Sequence, residues 1–573
     1  MPNYFSDNAD LQFHFSQLDN KEAVGIAEND YSYAAEFPHA PTDYEDALEN
    51  YRRVLDLVGD ISGNFIAERA AAVDVEGPKL ENGKVSYAKG TKEDLAELAK
   101  ADLMGLILPY RFGGLNMPFT IYTMAIEMAS RADATMMNLF GLQDIADCID
   151  KFGNEDQRQR YMPKFSTGEH TGAMVLTEPD AGSDLQAVKL VAYQNEQGEW
   201  RLRGCKRFIT NGCGDVLLVL ARSEPGTKDA RGLSMFVCRG DNTVVIRRLE
   251  HKLGINGSPT CEMQFNDTPA ELVGKRRMGL IKYTLDLMYR ARMGTSAQAV
   301  GISQQAYEEA LKYAKEREQF GKAIYEIPVV TNMLVDMRVA LEADRTLLCK
   351  SAWYVELKEK LEEKIDRLKE AGQSTTNLTV RLREIQKIAG LLTPLCKFFT
   401  TESSNRITYD ALQIHGGTGY MREFKVERLA RDARITNIYE GTSQLQVVAA
   451  LGGVVTDVLK DFFEAHEKKE YRGALATLQA HLKEMRVLFL ESLRYVTERR
   501  DSVFQDVAAK HLVELYGKTY VGYLLMDHAE LLDRKVFIAN RYVLSAVAEA
   551  RQHVESIKNG ALSDLLHADK ILI

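Results

Sequence analysis

Hydrophobic residues change their spacing twice along this chain of 573 residues. From about Asp43 to Ser166 they recur every three or four positions, which predicts amphipathic helices with a break at the loop 109–118. Between 171 and 272, short apolar runs separated by Gly, Asn and Asp predict β-strands. Helical spacing resumes near Lys282 and continues toward the carboxyl terminus. The chain is therefore predicted to be mainly α, with a central β domain between helical domains.

These changes divide the chain into five predicted segments. They are an N-terminal extension (1–42), an N-terminal helical domain (43–170), a central β domain (171–280), a helical bundle (281–451) and an additional helical domain (452–573). A chain of this length exceeds one ordinary domain and can bury a large cofactor. Acidic and basic residues nearly balance in the last segment, which favours a packing or oligomerisation role.

Within the predicted bundle, residues 355–372 carry four apolar residues at helical spacing. The pairs Glu356–Lys360 and Glu363–Arg367 are spaced to form ion pairs one helical turn apart. This pattern favours a solvated surface helix, or one arm of a helical hairpin, over a binding site.

Composition narrows the classes of function. The formal charge of −10 gives no electrostatic case for binding nucleic acid. Seven scattered cysteines without C-x-x-C spacing argue against a disulfide framework or zinc knuckle and indicate a reducing compartment. The amino terminus lacks the pattern of a signal or transit peptide, and no apolar run reaches the ~20 residues of a membrane span. We expect a cytoplasmic, prokaryotic enzyme without a metal site.

A first candidate for cofactor binding is the segment MVLTEPDAGSDLQAV, residues 174–188. Its polar loop follows a predicted strand, and its backbone N–H groups and hydroxyls suit a phosphate or the edge of a flavin. A structural turn rich in Pro, Asp and Gly accounts for the same residues equally well.

A second candidate is YDALQIHGGTGYMREFKVERLARDARITNIYEGTSQLQ, residues 409–446. The glycines of its GGTG run allow close approach to a dinucleotide, although such a run is often a plain turn. Glu440 lies between an aromatic residue and a glycine, where partial desolvation would raise its basicity. Alternatively, Glu440 is a helix-entry residue, with Thr442 or Ser443 as the cap and Ser443-x-x-Gln446 as a capping box.

The segments KRFITNG (206–212) and EREQFGKAI (316–324) complete an ordered set of motifs. With the runs 151–184 and 409–446, they resemble the signatures of the acyl-CoA dehydrogenase family across residues 43–450. The resemblance implies a helical N-terminal domain, a β-barrel-like middle domain and a C-terminal four-helix bundle, here followed by an added helical domain. It also implies FAD as cofactor and dehydrogenation of an acyl-CoA to the 2-enoyl-CoA, as in fatty acid β-oxidation.

The resemblance assigns roles to individual residues, with Glu440 as the catalytic base. The residues expected to bind FAD are Leu176, Thr177, Gly182, Ser183, Phe208, Thr210, Arg317, Phe320, Gln413, Gly416, Gly417, Thr442 and Gln444. Those expected to contact the substrate are Ser183, Arg292, Tyr439 and Gly441. The motif of Arg317 and Phe320 resembles one that reaches the FAD of a neighbouring subunit. A homo-oligomer is therefore expected, and a dimer is favoured over a tetramer.

Two departures from the family pattern matter, at Ala291 and at His415. Ala291 stands where some branches of the family carry the base, and alanine cannot take a proton, so Glu440 is the only matching base. Arg292 matches an arginine that the family has near the active site, with a surface or ion-pairing role as the alternative. His415 replaces the apolar or aromatic residue common in the glycine motif, and its role stays open. The two terminal segments and the phrase KLGINGSPTCEMQFND (252–267) resemble the large bacterial subgroup that includes methylmercaptopropionyl-CoA dehydrogenase.

The resemblance implies electron-transfer flavoprotein as the partner that accepts electrons. An acyl-CoA oxidase, in which oxygen reaches the reduced flavin, is the alternative within the flavoenzymes. A DNA-associated relative of the family is a second alternative. The carboxyl-terminal domain of that relative is basic, whereas the corresponding domain here is nearly neutral and lacks the clustered Lys and Arg that DNA affinity requires. The length of the acyl chain does not follow from these residues.

Overall fold

The computed structural model describes residues 2–559, 565 and 567–573. It confirms the predicted fold class, because helices surround a single β-rich domain between residues 172 and 272. No helix in the described ranges combines the length and the apolar character needed to cross a membrane.

The N-terminal part is helical up to residue 166. Its helices are α1 (Ala9–Ser16), α2 (Lys21–Ala27), α3 (Tyr44–Ile61), α4 (Ala67–Glu76), α5 (Lys89–Lys100), α6 (Phe119–Ala132), α7 (Asp144–Phe152) and α8 (Glu155–Ser166), with a small hairpin of β1 (Lys79–Glu81) and β2 (Lys84–Ser86). Asp43 caps α3 by accepting a hydrogen bond from the Asp46 N–H at 2.9 Å. The helix then buries Tyr51, Leu55 and Val58 at helical spacing, as its sequence pattern predicts.

The central domain is a closed β barrel. Its strands are β3 (Gly172–Val175), β4 (Val191–Gln194), β5 (Trp200–Thr210), β6 (Val216–Arg222), β7 (Leu233–Arg239), β8 (Val244–Leu249) and β9 (Thr260–Leu272). Pairing runs β6–β4–β5–β9–β7 and returns to β6, while β3 adds to β6 and β8 adds to β9. Alternate side chains, including Leu202, Phe236 and Phe265, fill one apolar core. The opposite face of β6 and β7 packs against α7 and α8.

The bundle that follows consists of long helices. They are α9 (Leu285–Glu316), α10 (Pro328–Glu370), α11 (Thr376–His415), α12 (Lys425–Thr436) and α13 (Ser443–Val455), with a short hairpin of β10 (Glu318–Gln319) and β11 (Lys322–Ala323) between α9 and α10. Helix α6 of the N-terminal part crosses α9 at Gly301, where a Cβ atom would lie 2.3 Å from the carbonyl oxygen of Glu127. The close crossing joins the N-terminal helices and the bundle into one apolar core.

The last part of the chain is also helical, as predicted. Its helices are α14 (Lys460–Lys468), α15 (Ala474–Glu498), α16 (Ser502–Leu531), α17 (Asp533–Asn559) and a short final helix (Ala568–Ile571). Helix α16 approaches α11 at Gly517, where a Cβ atom would lie 2.5 Å from the ring of Phe399. These added helices therefore pack directly on the bundle.

For residues 355–372, the prediction of a solvated surface helix was wrong, whereas the prediction of a hairpin arm is confirmed, because the short turn 371–375 joins α10 to α11 and the two helices pack on each other. Residues 355–370 form the carboxyl-terminal part of the continuous helix α10, and their apolar stripe is buried against α2 and α11. Glu356 accepts hydrogen bonds from the N–H and hydroxyl of Thr120 at 2.8 and 2.7 Å, and Lys360 pairs instead with Glu363 at 2.8 Å. The N-terminal extension covers this face, which the local pattern of charges does not reveal.

Candidate active site

Glu440 lies in a tight loop between α12 and α13. Its backbone φ is 55° and that of Gly441 is 93°, so the chain turns sharply through two left-handed residues. Thr442 then caps α13 by accepting from the Leu445 N–H at 3.5 Å. The expected cap at Thr442 is thus present. Gln446, expected in a capping box with Ser443, instead donates from its side-chain amide to the carbonyls of Glu440 and Gly441 at 3.1 and 2.9 Å.

The carboxyl group of Glu440 is half-buried and faces two cationic side chains. Burial raises its pKa, and the charges of Lys397 and Arg292 oppose that shift. The buried Nε of Arg292 has no hydrogen-bond partner among the described residues. Ala291, its neighbour on α9, offers no second carboxylate. The site therefore combines a desolvated carboxylate with positive charges that favour its ionised form.

Tyr439 ties the loop to three other parts of the molecule. Its hydroxyl donates to Gln298 on α9 and lies 3.4 Å from the Asn138 Oδ1. The Asn138 amide in turn donates to Ser258 of the barrel domain at 3.3 Å. Lys252 donates to the same Ser258 hydroxyl at 3.1 Å. A continuous polar chain thus connects the loop of Glu440 with the bundle, the N-terminal helices and the barrel.

The loop after β3 is held by a buried lysine. Lys206 donates to the carbonyl of Leu176 at 2.7 Å and pairs with Glu178 at 3.0 Å. The Glu178 carboxylate also accepts from the backbone N–H groups of Lys189 and Leu190. Leu176 is buried, Thr177 is half-buried, and Gly182 and Ser183 are exposed at the end of the loop. The Glu178 carboxylate therefore has a structural role in holding this loop.

Phe208 projects from an irregular point in the barrel. The register of β5 against β9 shifts between Lys206 and Ile209, and Phe208 has a φ of 60° with 53% of its surface exposed. Thr210 is half-buried at the end of the same strand. The Arg207 N–H donates to the Thr177 carbonyl at 3.0 Å, so this segment and the loop after β3 are neighbours.

The glycine motif leaves an open space at the end of α11. A Cβ atom placed at Gly416 or Gly417 would meet no atom within 4 Å, and Gln413 beside them is exposed. Gln444 is exposed in the first turn of α13. His415 stacks on Tyr313 with ring centroids 4.2 Å apart, and its Nδ1 lies 2.8 Å from the Ala411 carbonyl. The open question about His415 thus has a structural answer, because its ring packs between helices.

Arg317 and Phe320 lie on the outer surface. Arg317 follows the last residue of α9, and Phe320 occupies the turn of the short hairpin with a φ of 54° and 92% of its surface exposed. A large aromatic side chain is rarely held in such a left-handed turn. Within the chain, neither residue joins the group around Glu440.

Family models match the chain from residue 49 to 565. The descriptions are acyl-CoA dehydrogenase N-terminal domain (49–169), middle domain (173–268) and C-terminal domain (281–450), followed by acyl-CoA dehydrogenase C terminal (456–565). A relative in Ruegeria pomeroyi, 3-methylmercaptopropionyl-CoA dehydrogenase, is 34% identical over 71% of this chain and 70% of its own length. The chain belongs to the acyl-CoA dehydrogenase family. Members of this family are oxidoreductases that act on acyl-CoA, and FAD is the family cofactor.

One further relative and two solved structures match between 62% and 88% of this chain. The acryloyl-CoA reductase (NADH) of Anaerotignum propionicum is 34% identical over 62% of this chain and 84% of its own length. Butyryl-CoA dehydrogenase of Megasphaera elsdenii matches with 28% identity and a TM-score of 0.60 over 71% of this chain and 98% of that structure. An acyl-CoA dehydrogenase of Bacillus anthracis, solved in complex with FAD, shares the fold over 88% of each chain at 22% identity and a TM-score of 0.74.

Sequence reasoning missed the residues that hold the loop of Glu440. Lys397, Gln298 and Asn138 lie far from Glu440 in the sequence, and Gln446 was considered only as part of a helix cap. Lys397 does leave a signal, since it interrupts the apolar run LLTPLCKFF on a helix. A charge in such a run is buried only with partners, which only the folded chain identifies.

Proposed function

We propose that this protein dehydrogenates an acyl-CoA thioester to the 2-enoyl-CoA, with Glu440 as the base that removes the α-proton. The observation that carries the proposal is the half-buried Glu440 carboxylate beside Lys397 and Arg292, in a chain of this family. The Ala291 position supplies no alternative base.

The residues present fit FAD. The open space at Gly416 and Gly417 leaves room for part of a dinucleotide, and Gln413 lies beside it. Thr442 and Gln444 lie near Lys397 and Glu402, roughly 20 Å further back along α11, and we propose that they contact a different part of FAD. Further residues proposed to hold the flavin are Leu176, Thr177, Gly182, Ser183, Phe208 and Thr210. Phe208 supports this assignment, because its ring is exposed at a strained position of the barrel. When bound, FAD supplies the acceptor for the hydride that leaves the β-carbon.

The protein's own contribution is the removal of the proton. The Cα–H bond breaks, its proton passes to the Glu440 carboxylate, and its electron pair forms the α,β double bond. For this step the Glu440 carboxylate must lie within hydrogen-bond reach, about 3 Å, of the reacting group. Bound substrate excludes water and so raises the basicity of Glu440, while Arg292 and Lys397 keep its carboxylate ionised before substrate binds. Ser183, Arg292, Tyr439 and Gly441 are the residues that we propose to line the substrate.

The electron acceptor in this proposal is an electron-transfer flavoprotein. A chain in a structure titled as the electron transferring flavoprotein of Acidaminococcus fermentans matches this protein with 28% identity and a TM-score of 0.58. An acyl-CoA oxidase would instead consume oxygen. Oxygen uptake with acyl-CoA as the only reductant, compared with reduction of purified electron-transfer flavoprotein, distinguishes the two.

We propose a homodimer in which Arg317 and Phe320 reach the FAD of the second subunit. The solvent-exposed Phe320 ring supports this, because an interface would cover it. The planar donor groups of Arg317 suit a pyrophosphate. Light scattering should give a flavin-containing dimer, and Phe320→Ala should lose flavin more readily on dilution. An active, flavin-loaded monomer would contradict the proposal.

The mechanism is tested by Glu440→Gln, which keeps the size of the side chain and removes the base. The variant should bind FAD and acyl-CoA normally, while the anaerobic single-turnover rate of flavin bleaching falls by ~10²–10⁴-fold or more. Glu423→Gln, a change on an exposed segment before α12, is the matched control and should bleach at the parent rate. Bleaching of Glu440→Gln within about tenfold of the parent would place the base elsewhere.

A further inference from the structure

Lys397 on α11 joins the two ends of the loop that carries Glu440. Its side chain is fully buried, and its Nζ donates to the carbonyl of Thr436 at 3.0 Å and to that of Gly441 at 2.7 Å. Thr436 ends α12, and Gly441 immediately follows Glu440. The Lys397 ammonium group therefore links the two ends of the turn between α12 and α13.

Two further side chains hold the same loop without carrying positive charge. The Gln446 amide donates to the carbonyls of Glu440 and Gly441. Glu402, five residues after Lys397 on α11, accepts from the Asn437 amide at 2.9 Å and from the Ser443 hydroxyl. The strain of the left-handed backbone at Glu440 is thus offset by donors that bond to the carbonyl groups of this loop.

Lys397 is also part of the charge environment of the base. Burial lowers the pKa of Lys397 to about 7, although Glu440 favours its protonated form. The other ionisable groups that face the pair are Arg292 on α9, Glu402 on α11 and the Tyr439 hydroxyl in the loop. A lysine with this pKa changes its charge near neutral pH.

We propose that Lys397 is a positioning residue that fixes the loop of Glu440 and, through its charge, sets the pH range in which Glu440 acts as a base. This inference rests on the proposed function of Glu440. With Lys397 protonated, the Glu440 carboxylate is stabilised and accepts a proton only at lower pH. Without that charge, the carboxylate binds its proton at higher pH.

The test compares two charge-removing variants of the FAD-loaded enzyme. Lys397→Gln keeps hydrogen-bond donors, whereas Lys397→Met removes them. Single-turnover bleaching rises with pH as Glu440 ionises, and both variants should move this acid limb upward by about one pH unit, the effect of one lost neighbouring charge. Amide hydrogen exchange of residues 437–446, a readout independent of activity, should accelerate in Lys397→Met and much less in Lys397→Gln.

Two controls separate charge from loop geometry. Gln446→Leu removes neutral donors, so amide exchange in the loop should accelerate while the acid limb stays in place. Lys518→Gln removes a half-buried lysine that pairs with Glu549 in the added helices, and it should change neither readout.

An acid limb that stays in place in both Lys397 variants, with Glu440→Gln inactive, would overturn the inference and leave the proposed function standing. Equal shifts in Lys397→Gln and Lys518→Gln would overturn it as well, because the effect would then not be local. Activity of Glu440→Gln near the parent rate would instead reject the proposed function itself.

Discussion

At the scale of single residues, the geometry of the base depends on its neighbour Gly441. With a φ of 93°, this residue adopts a backbone conformation that side chains other than glycine rarely tolerate. A Cβ atom there would also lie 2.6 Å from the Gln446 amide nitrogen, which donates to the loop carbonyls. Glycine after Glu440 is therefore a requirement of the turn, in addition to any contact with substrate.

Gly441→Ala should destabilise the protein by about 1–3 kcal/mol and slow flavin bleaching, because the loop must shift to relieve the contact. The free energy of unfolding in urea and the single-turnover rate measure the two effects. Gly452→Ala is the matched control on α13, where a Cβ atom meets open space. It should stabilise the helix by up to about 1 kcal/mol and leave the rate unchanged. Similar losses in both variants would exclude a specific role of Gly441.

At the scale of secondary structure, the distal half of α10 shows how a neighbouring element overrides a local pattern. The sequence of this half reads as a solvated helix, yet Leu361 and Ile365 form a small core with Ile26 of α2 and Leu382 of α11. The N-terminal extension thus packs as an integral layer on the bundle.

Leu361→Ala should lower the free energy of unfolding by about 2–5 kcal/mol, since it opens a cavity in this core. Asp366→Ala, an exposed position on the same helix, should change it by less than about 0.5 kcal/mol. Urea unfolding of the two variants under identical conditions measures the difference. Equal stability of both variants would mean that Leu361 is not buried in this core in solution.

At the scale of the whole molecule, a buried ionic cluster joins the first helix, α1, to α17 of the added helices. Asp10 of α1 accepts from Arg345 of α10 at 2.5 Å and from Lys535 of α17, and Lys535 also pairs with Glu342 at 2.7 Å. Arg345 reaches Glu127 of α6 as well, at 2.7 Å. The N-terminal extension, the N-terminal helices, the bundle and the added helices therefore meet at one set of compensating charges.

Asp10→Asn should destabilise the protein by about 3 kcal/mol or more at neutral pH, because it leaves two buried cations short of a counter-charge. Burial disfavours the charged form of Asp10, but Arg345, His14 and Lys535 outweigh it and lower the pKa. The stabilisation is therefore present above the pKa of unfolded Asp and is lost as pH falls through the folded value.

Urea unfolding of Asp10→Asn and the parent between neutral and acidic pH checks this sign. The gap in unfolding free energy should be widest near neutrality and should narrow toward acid. Asp506→Asn, on an exposed face of α16, should remain within about 0.5 kcal/mol of the parent. A gap that widens on acidification would contradict the assigned charge state of Asp10.

The sequence by itself determined the fold class, the family and the cofactor. Helical and β periodicities are local properties, and ordered motifs such as 174–188 and 409–446 lie within continuous stretches of chain. Their resemblance to acyl-CoA dehydrogenases is confirmed by the family models. The identity of Glu440 as a candidate base also followed from the chain alone, because it is part of one such motif.

Only the tertiary structure decided what surrounds that base and what covers the bundle. Lys397 and Arg292 approach Glu440 from two different helices, and the charge that each contributes depends on burial that no local pattern records. The burial of the apolar stripe within 355–372 likewise required a partner more than 300 positions earlier in the chain, as the shared core of Ile26 and Leu361 shows. Packing between distant segments sets burial, and burial sets both stability and the pKa of the site.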